Sequence, residues 1–109
     1  MTVARAQALR GAITVERNDE KLILEATKEM LTKLCEWNEL DYDDIISIVF
    51  SSTQDLNAAY PAVGARQLGM TQVPLMCVAE LPVPGSLPLC IRCLMHIHTA
   101  RPRHELRHV

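Results

Sequence analysis

Hydrophobic and polar positions divide the chain into segments with two different periods. From Ala8 to Val15 the chain is apolar, carries the β-branched residues Ile13, Thr14 and Val15, and breaks at the polar run Glu16-Arg17-Asn18-Asp19, as a strand entering a turn does. The period then changes. Ile23, Thr27, Met30, Leu31 and Leu34 recur at helical spacing, Asn18 is placed to cap, and Asp19 and Glu20 fall in the first turn, which predicts a long helix ending near Trp37-Asn38. After a second cap or turn at Asp41-Tyr42-Asp43-Asp44, the run Ile45–Thr53 reads as a buried strand. A short helix is predicted over Pro61–Leu68, with proline in its first turn and Gly69 closing it. Val73–Ala79 reads as a third strand whose early proline places it at a sheet edge or a strand start. A loop carrying Pro82, Pro84, Gly85 and Pro88 leads into a last strand, Cys90–Thr99.

The order β, α, β, α, β, β implies an α/β or α+β domain with helices packed on a mixed sheet. At 109 residues the chain supports one hydrophobic core and therefore one domain spanning 1–109. An apolar fraction of 49% against 22% charged residues is that of a folded globular protein. Only 4% of residues are aromatic, which removes the stacking platform that single-stranded nucleic acid requires. A formal net charge of −2 gives no general attraction to polyanions, so any anion site must be a local group of arginines. The opening residues Met1–Leu9 lack the apolar core of a secretion signal, and no apolar run approaches the ~20 residues of a membrane span, so the expected compartment is the cytoplasm and no membrane partner is expected.

Candidate chemistry lies in charges at apolar positions. Arg10 and Arg92 sit within apolar strands and Glu80 ends another. A guanidinium there needs a carboxylate or a polar cavity to receive it. The residues alone leave two readings open, an Arg–Glu pair on a solvent-facing side of the sheet and an anion site. Cysteines at 35, 77, 90 and 93 are read as reduced thiols. Cys90 and Cys93 form a lone CxxC followed by His96, His98, His104 and His108. On a strand, however, positions three apart face opposite sides and cannot chelate one ion, so no metal is expected.

The segments Arg10–Arg17 (RGAITVER), Thr53–Ala62 (TQDLNAAYPA), Val73–Cys77 (VPLMC), Gly85–Leu87 (GSL), Cys90–Arg92 (CIR) and Leu106–Val109 (LRHV) resemble, in order, the successive signatures of the AroH-like, trimeric chorismate mutases. The likeness covers nearly the whole chain. It implies an α+β pseudo-barrel homotrimer with active sites between subunits. The implied activity is a cofactor-free isomerisation of chorismate to prephenate at the head of phenylalanine and tyrosine synthesis. By resemblance, Arg10 binds a substrate carboxylate, Arg92 faces the ether oxygen and a carboxylate, and Glu80 with Cys77 holds the ring hydroxyl. Tyr60, Ala62, Arg66, Leu75 and Met76 match positions that line the pocket. There are two departures. Val63 stands where one branch of the family has lysine, and relatives continue past the position of Val109 with a Tyr-Leu pair and a covering tail. The rival expectation is a trimeric, RidA-like binder of small carboxylates without catalysis.

Overall fold

A computed structural model describes residues 3–109; Met1 and Thr2, which head the stretch read above as carrying no secretion signal, lie outside it. The described chain forms β1 (Arg5–Thr14), α1 (Glu20–Trp37), β2 (Ile45–Ser52), α2 (Pro61–Gln67), β3 (Leu75–Ala79) and β4 (Cys90–Thr99), with single 3-10 turns at Tyr42–Asp44 and Arg103–Glu105. The strands make one mixed sheet in the order β1-β4-β2-β3. β4 runs antiparallel to both β1 and β2, whereas β3 runs parallel to β2 and is reached through α2, because a parallel return needs a crossover.

Both helices lie on one face of the sheet, as an α+β arrangement requires. On that face Leu9 and Gly11 of β1, Ile48 and Phe50 of β2, and Ile91, Cys93, Met95 and Ile97 of β4 are buried beneath Ile23, Met30, Leu31 and Leu34 of α1. Close approach is bought with glycine. A Cβ on Gly11 would lie 3.0 Å from Met30 Cγ and 3.1 Å from Cys93 Sγ, so any side chain there would press on α1 and on β4. Gly64 does the same between the helices, where a Cβ would stand 3.1 Å from Thr27 Cβ.

The opposite face has no helix over it. It carries Ala6, Ala8, Arg10 and Ala12 from β1, Arg92, Leu94, His96 and His98 from β4, Ser47, Val49 and Ser51 from β2, and Met76 and Val78 from β3. Met76 is 60% exposed, an unusual state for a large apolar strand residue.

Three expectations change in detail. Asp19, not Asn18, caps α1, its carboxylate accepting from the Leu22 amide at 3.0 Å. Asn18 is spent elsewhere, on the backbone of the Asn57 loop. β1 begins at Arg5, and β3 begins only at Leu75, because Pro74 has no N–H for the ladder and offers just its carbonyl to Ile48. β3 is both an edge strand and one that starts after its proline.

Candidate active site

Alternation along β1 and β4 places Arg10 and Arg92 on the open face. Arg10 is in register with Leu94 and Ala12 with Arg92, so the two arginines are diagonal neighbours on adjacent antiparallel strands. They share a cavity of about 360 Å³ also lined by Val49, Ser51, Leu94, His108 and Val109.

Glu80 joins them from the end of β3. Its amide donates to Ser52 O at 3.1 Å, which continues the β2–β3 ladder by one bond. Its carboxylate then reaches over β2. One oxygen accepts the Ser51 hydroxyl at 2.9 Å, and the other accepts a hydrogen bond from Arg92 Nη1. The Arg92 bond, helped by Ser51 and opposed by burial, holds the Glu80 carboxyl below the usual carboxylate range. The same bond raises Arg92, which stays protonated. The arrangement is the Arg–Glu pair allowed by one reading of the sequence, set at the edge of the cavity that the other reading calls for. Only Nη1 is engaged, so the guanidinium retains donors for a second acceptor.

A second cavity, about 710 Å³, lies on the other side of the β2–β3 edge, against α1, α2 and the loop between β2 and α2. Tyr60 and Cys77 line it, together with Thr53, Ala59, Val63 and Gln67. Its loop is stapled twice. Asn18 Oδ1 accepts from the amides of Asn57 and Ala58, each at 3.0 Å. Asp55 takes the Thr53 hydroxyl on one oxygen and the Leu89 amide, at 3.0 Å, on the other, and these bonds lower its carboxyl below the ordinary value. Leu89 adopts φ 50°, a left-handed conformation costly for a residue with a Cβ, at the junction where Asp55 and the Val15 amide both hold the start of β4.

Within one chain, then, Arg10 and Arg92 share one cavity, with Glu80 bonded to Arg92 but lining neither cavity, and Tyr60 and Cys77 share the other. Cys77 pairs with Phe50 and lies on the helix side, opposite Glu80. Ala62 is buried in α2, Arg66 is exposed at the end of the same helix, Leu75 packs on the core, and Met76 stands on the open face; none of the four lines either cavity. Cys90 and Cys93 fall on opposite sides of β4, and no cluster of three or more metal-binding side chains occurs among the described residues. Sequence reasoning gave no role to Ser51, which looks like any polar residue of a half-buried strand, or to His108, which entered only among the histidines and within the LRHV segment. It also missed Asn38, whose one signal was a polar amide directly after an amphipathic helix.

The fold is thus a one-sided α+β sheet with paired arginines over a small concavity on its open face. The profile of the family described as chorismate mutase type I matches residues 6–109. The chain is 45% identical over 104 residues to chorismate mutase AroH of Thermus thermophilus, covering 94% of this chain and 85% of that one. It is 41% identical to chorismate mutase AroH of Bacillus subtilis, covering 94% and 82%. A solved chorismate mutase from Clostridium thermocellum superposes with a TM-score of 0.93 at 47% identity, covering 94% of this chain and 92% of that chain. The chain belongs to the type I chorismate mutase family.

Proposed function

We propose that this protein is a chorismate mutase, an isomerase that converts chorismate to prephenate, and that its site is built from the residues of the two cavities. The observation that carries the reading is the placement of Arg10 and Arg92 in one small cavity, with Glu80 fixing the second guanidinium.

The reaction breaks a C–O bond and forms a C–C bond within one molecule, so it needs no nucleophile or proton transfer. Two tasks remain. The flexible enolpyruvyl arm must be held over the ring, and negative charge growing on the ether oxygen must meet a fixed donor. A cavity of about 360 Å³ is in the range of small-ligand pockets. Arg10 serves a carboxylate of the dianion. Arg92, permanently protonated and clamped by Glu80, serves the ether oxygen without reorganising as charge develops. Glu80 has lone pairs beyond those used by Arg92 and Ser51, and these suit a ring hydroxyl.

Assembly completes the reading. The Arg10–Arg92 cavity and the Tyr60–Cys77 cavity share no lining residue on one chain. Met76, Val78 and Leu94 leave apolar surface on the open sheet face, which a second copy of the chain would cover. A homotrimer in which one subunit's arginines face the next subunit's Tyr60 and Cys77 accounts for both features. No described helix is long and apolar enough to cross a membrane, and all four cysteines are free thiols, which suits a cytoplasmic enzyme. The test is incubation with chorismate: loss of its absorbance with prephenate as the product supports the reading. Binding without turnover would favour a non-catalytic carboxylate binder instead.

A further inference from the structure

Asn38 ends α1 and is only 2% exposed, and its carboxamide does more than cap a helix. Nδ2 donates to Leu34 O at 2.8 Å, which is the capping bond. It also donates to Arg107 O at 2.9 Å, while Oδ1 accepts from Arg107 N at 2.8 Å, so the side chain clasps both backbone polar groups of one residue 69 positions away. The Arg107 guanidinium lies 5.3 Å from the centre of the neighbouring Trp37 ring.

The segment so held runs on along the free edge of β1. Val109 N donates to Arg10 O and Ala12 N donates to Val109 O, each at 3.1 Å, a parallel-type pair across Gly11. One step earlier a side chain takes over the ladder, because Arg10 N donates to His108 Nδ1 at 2.9 Å. Leu106 is buried behind this row. His108 and Val109 are also walls of the Arg10–Arg92 cavity.

We propose that Asn38 is a positioning residue for the reaction. By clasping the backbone N–H and C=O of Arg107, it fixes the His108–Val109 wall and, through the bonds from that wall to the Arg10 backbone, the seat of Arg10. The proposal rests on reading this cavity as part of the substrate site. A C-cap alone would need only the Leu34 bond. The two bonds to Arg107 have no role in ending α1, and they carry the connection to the site.

Asn38→Asp tests it. The shape is kept, but a carboxylate donates nothing to Leu34 O or Arg107 O and is repelled by both. A loosened wall weakens ground state and transition state together, leaving Arg92 in place, so KM is expected to rise about tenfold with kcat within about threefold. A purely structural residue would behave differently, lowering the active fraction, and hence apparent kcat, at unchanged KM. Because Asn38 acts through His108, adding Asn38→Asp to His108→Ala should raise KM little further. Amide exchange at Arg10 and Val109 should accelerate while that of mid-α1 stays slow. If the buried carboxylate unfolds the chain, Asn38→Ser, small and neutral, is read the same way. An active protein with unchanged KM in the variant, additive effects with His108→Ala, or undisturbed exchange at Arg10 and Val109 would each overturn the inference alone. A wild-type chain without turnover would overturn the functional reading and this inference with it.

Discussion

The Glu80 carboxylate spans β2 to hold Arg92 on one oxygen and Ser51 on the other. Arg92 is in register with Ser51, so the three groups form a row across the open face, from the end of β3 to β4. With its side chain 42% exposed, the guanidinium is oriented but remains reachable, whereas Glu80, 16% exposed, is largely enclosed by its partners. Orientation by a fixed carboxylate is what allows an arginine to meet developing charge without first rearranging.

The pair has a defined pH signature. Glu80 is depressed in the folded chain, chiefly by Arg92, so its stabilising contribution is complete above the ordinary glutamate value of about 4.3 and is lost only as pH falls through the lower native value. The difference in Tm between wild type and Glu80→Gln should therefore stay constant from pH 8 to about 5 and shrink below about 4. A difference that vanished near neutrality would show that the pair is not the one described.

The thiols should separate by depth. Burial pushes Cys35 up to about 11 and Cys93 up to about 12, and raises Cys90 as well, so these three should resist a thiol reagent at pH 8. Cys77 is half-buried and lines the second cavity. One fast-reacting thiol per chain is expected, and chorismate should slow it if that cavity is part of the site. Equal reactivity at several cysteines would contradict the packing.

Gly11 links the core to the site, because the position that admits Met30, Leu34 and Cys93 lies between Arg10 and Ala12. Gly11→Ala adds a Cβ at 3.0 Å from Met30 Cγ and 3.1 Å from Leu34 Cδ1. Overpacking of this kind costs about 1–3 kcal/mol, read as a lowered midpoint in denaturant, and a shifted β1 should also raise KM through Arg10. An unchanged midpoint would mean that α1 and β1 are less tightly apposed than the structure has them.

Two separate cavities per chain make a claim about assembly. Chains carrying Arg92→Ala and chains carrying Tyr60→Asp should each be inactive, the second because a carboxylate at this exposed position repels a dianion. If each site joins one subunit's arginines to the next subunit's Tyr60, equal mixing should rebuild about a quarter of the sites. No recovery after exchange of subunits would place the site within one chain, and light scattering at the mass of a 12.2 kDa monomer would remove the trimer altogether.

The fold was legible because period and punctuation agree. Ile23, Thr27, Met30, Leu31 and Leu34 mark the buried stripe of α1, and Pro61 and Gly69 bracket α2 as their backbone chemistry demands. The misplaced charges Arg10, Glu80 and Arg92 were visible as anomalies in apolar strands, but that both arginines share one face follows only from the pairing of β1 with β4. What stayed hidden depends on register and long-range contact. No local pattern says that Ser51 stands opposite Arg92, that Asn18 leaves the helix cap to Asp19 and staples a loop 39 residues away, or that Asn38 clasps Arg107. Cys77 and Glu80 are three residues apart, and that odd spacing already separates their faces within one chain. The resemblance assigns both to one ring hydroxyl, and only the proposed assembly of subunits would join them.

The most direct measurement is kcat/KM for chorismate in wild type and Arg92→Ala, with fold and assembly checked on both. Removing a preorganised donor that acts on developing charge costs about 3–4 kcal/mol, so the variant should fall by roughly a hundred- to a thousandfold, mainly in kcat, and Arg92→Lys should recover little because a point charge lacks the planar fork. A folded Arg92→Ala protein that keeps near wild-type kcat would contradict the account.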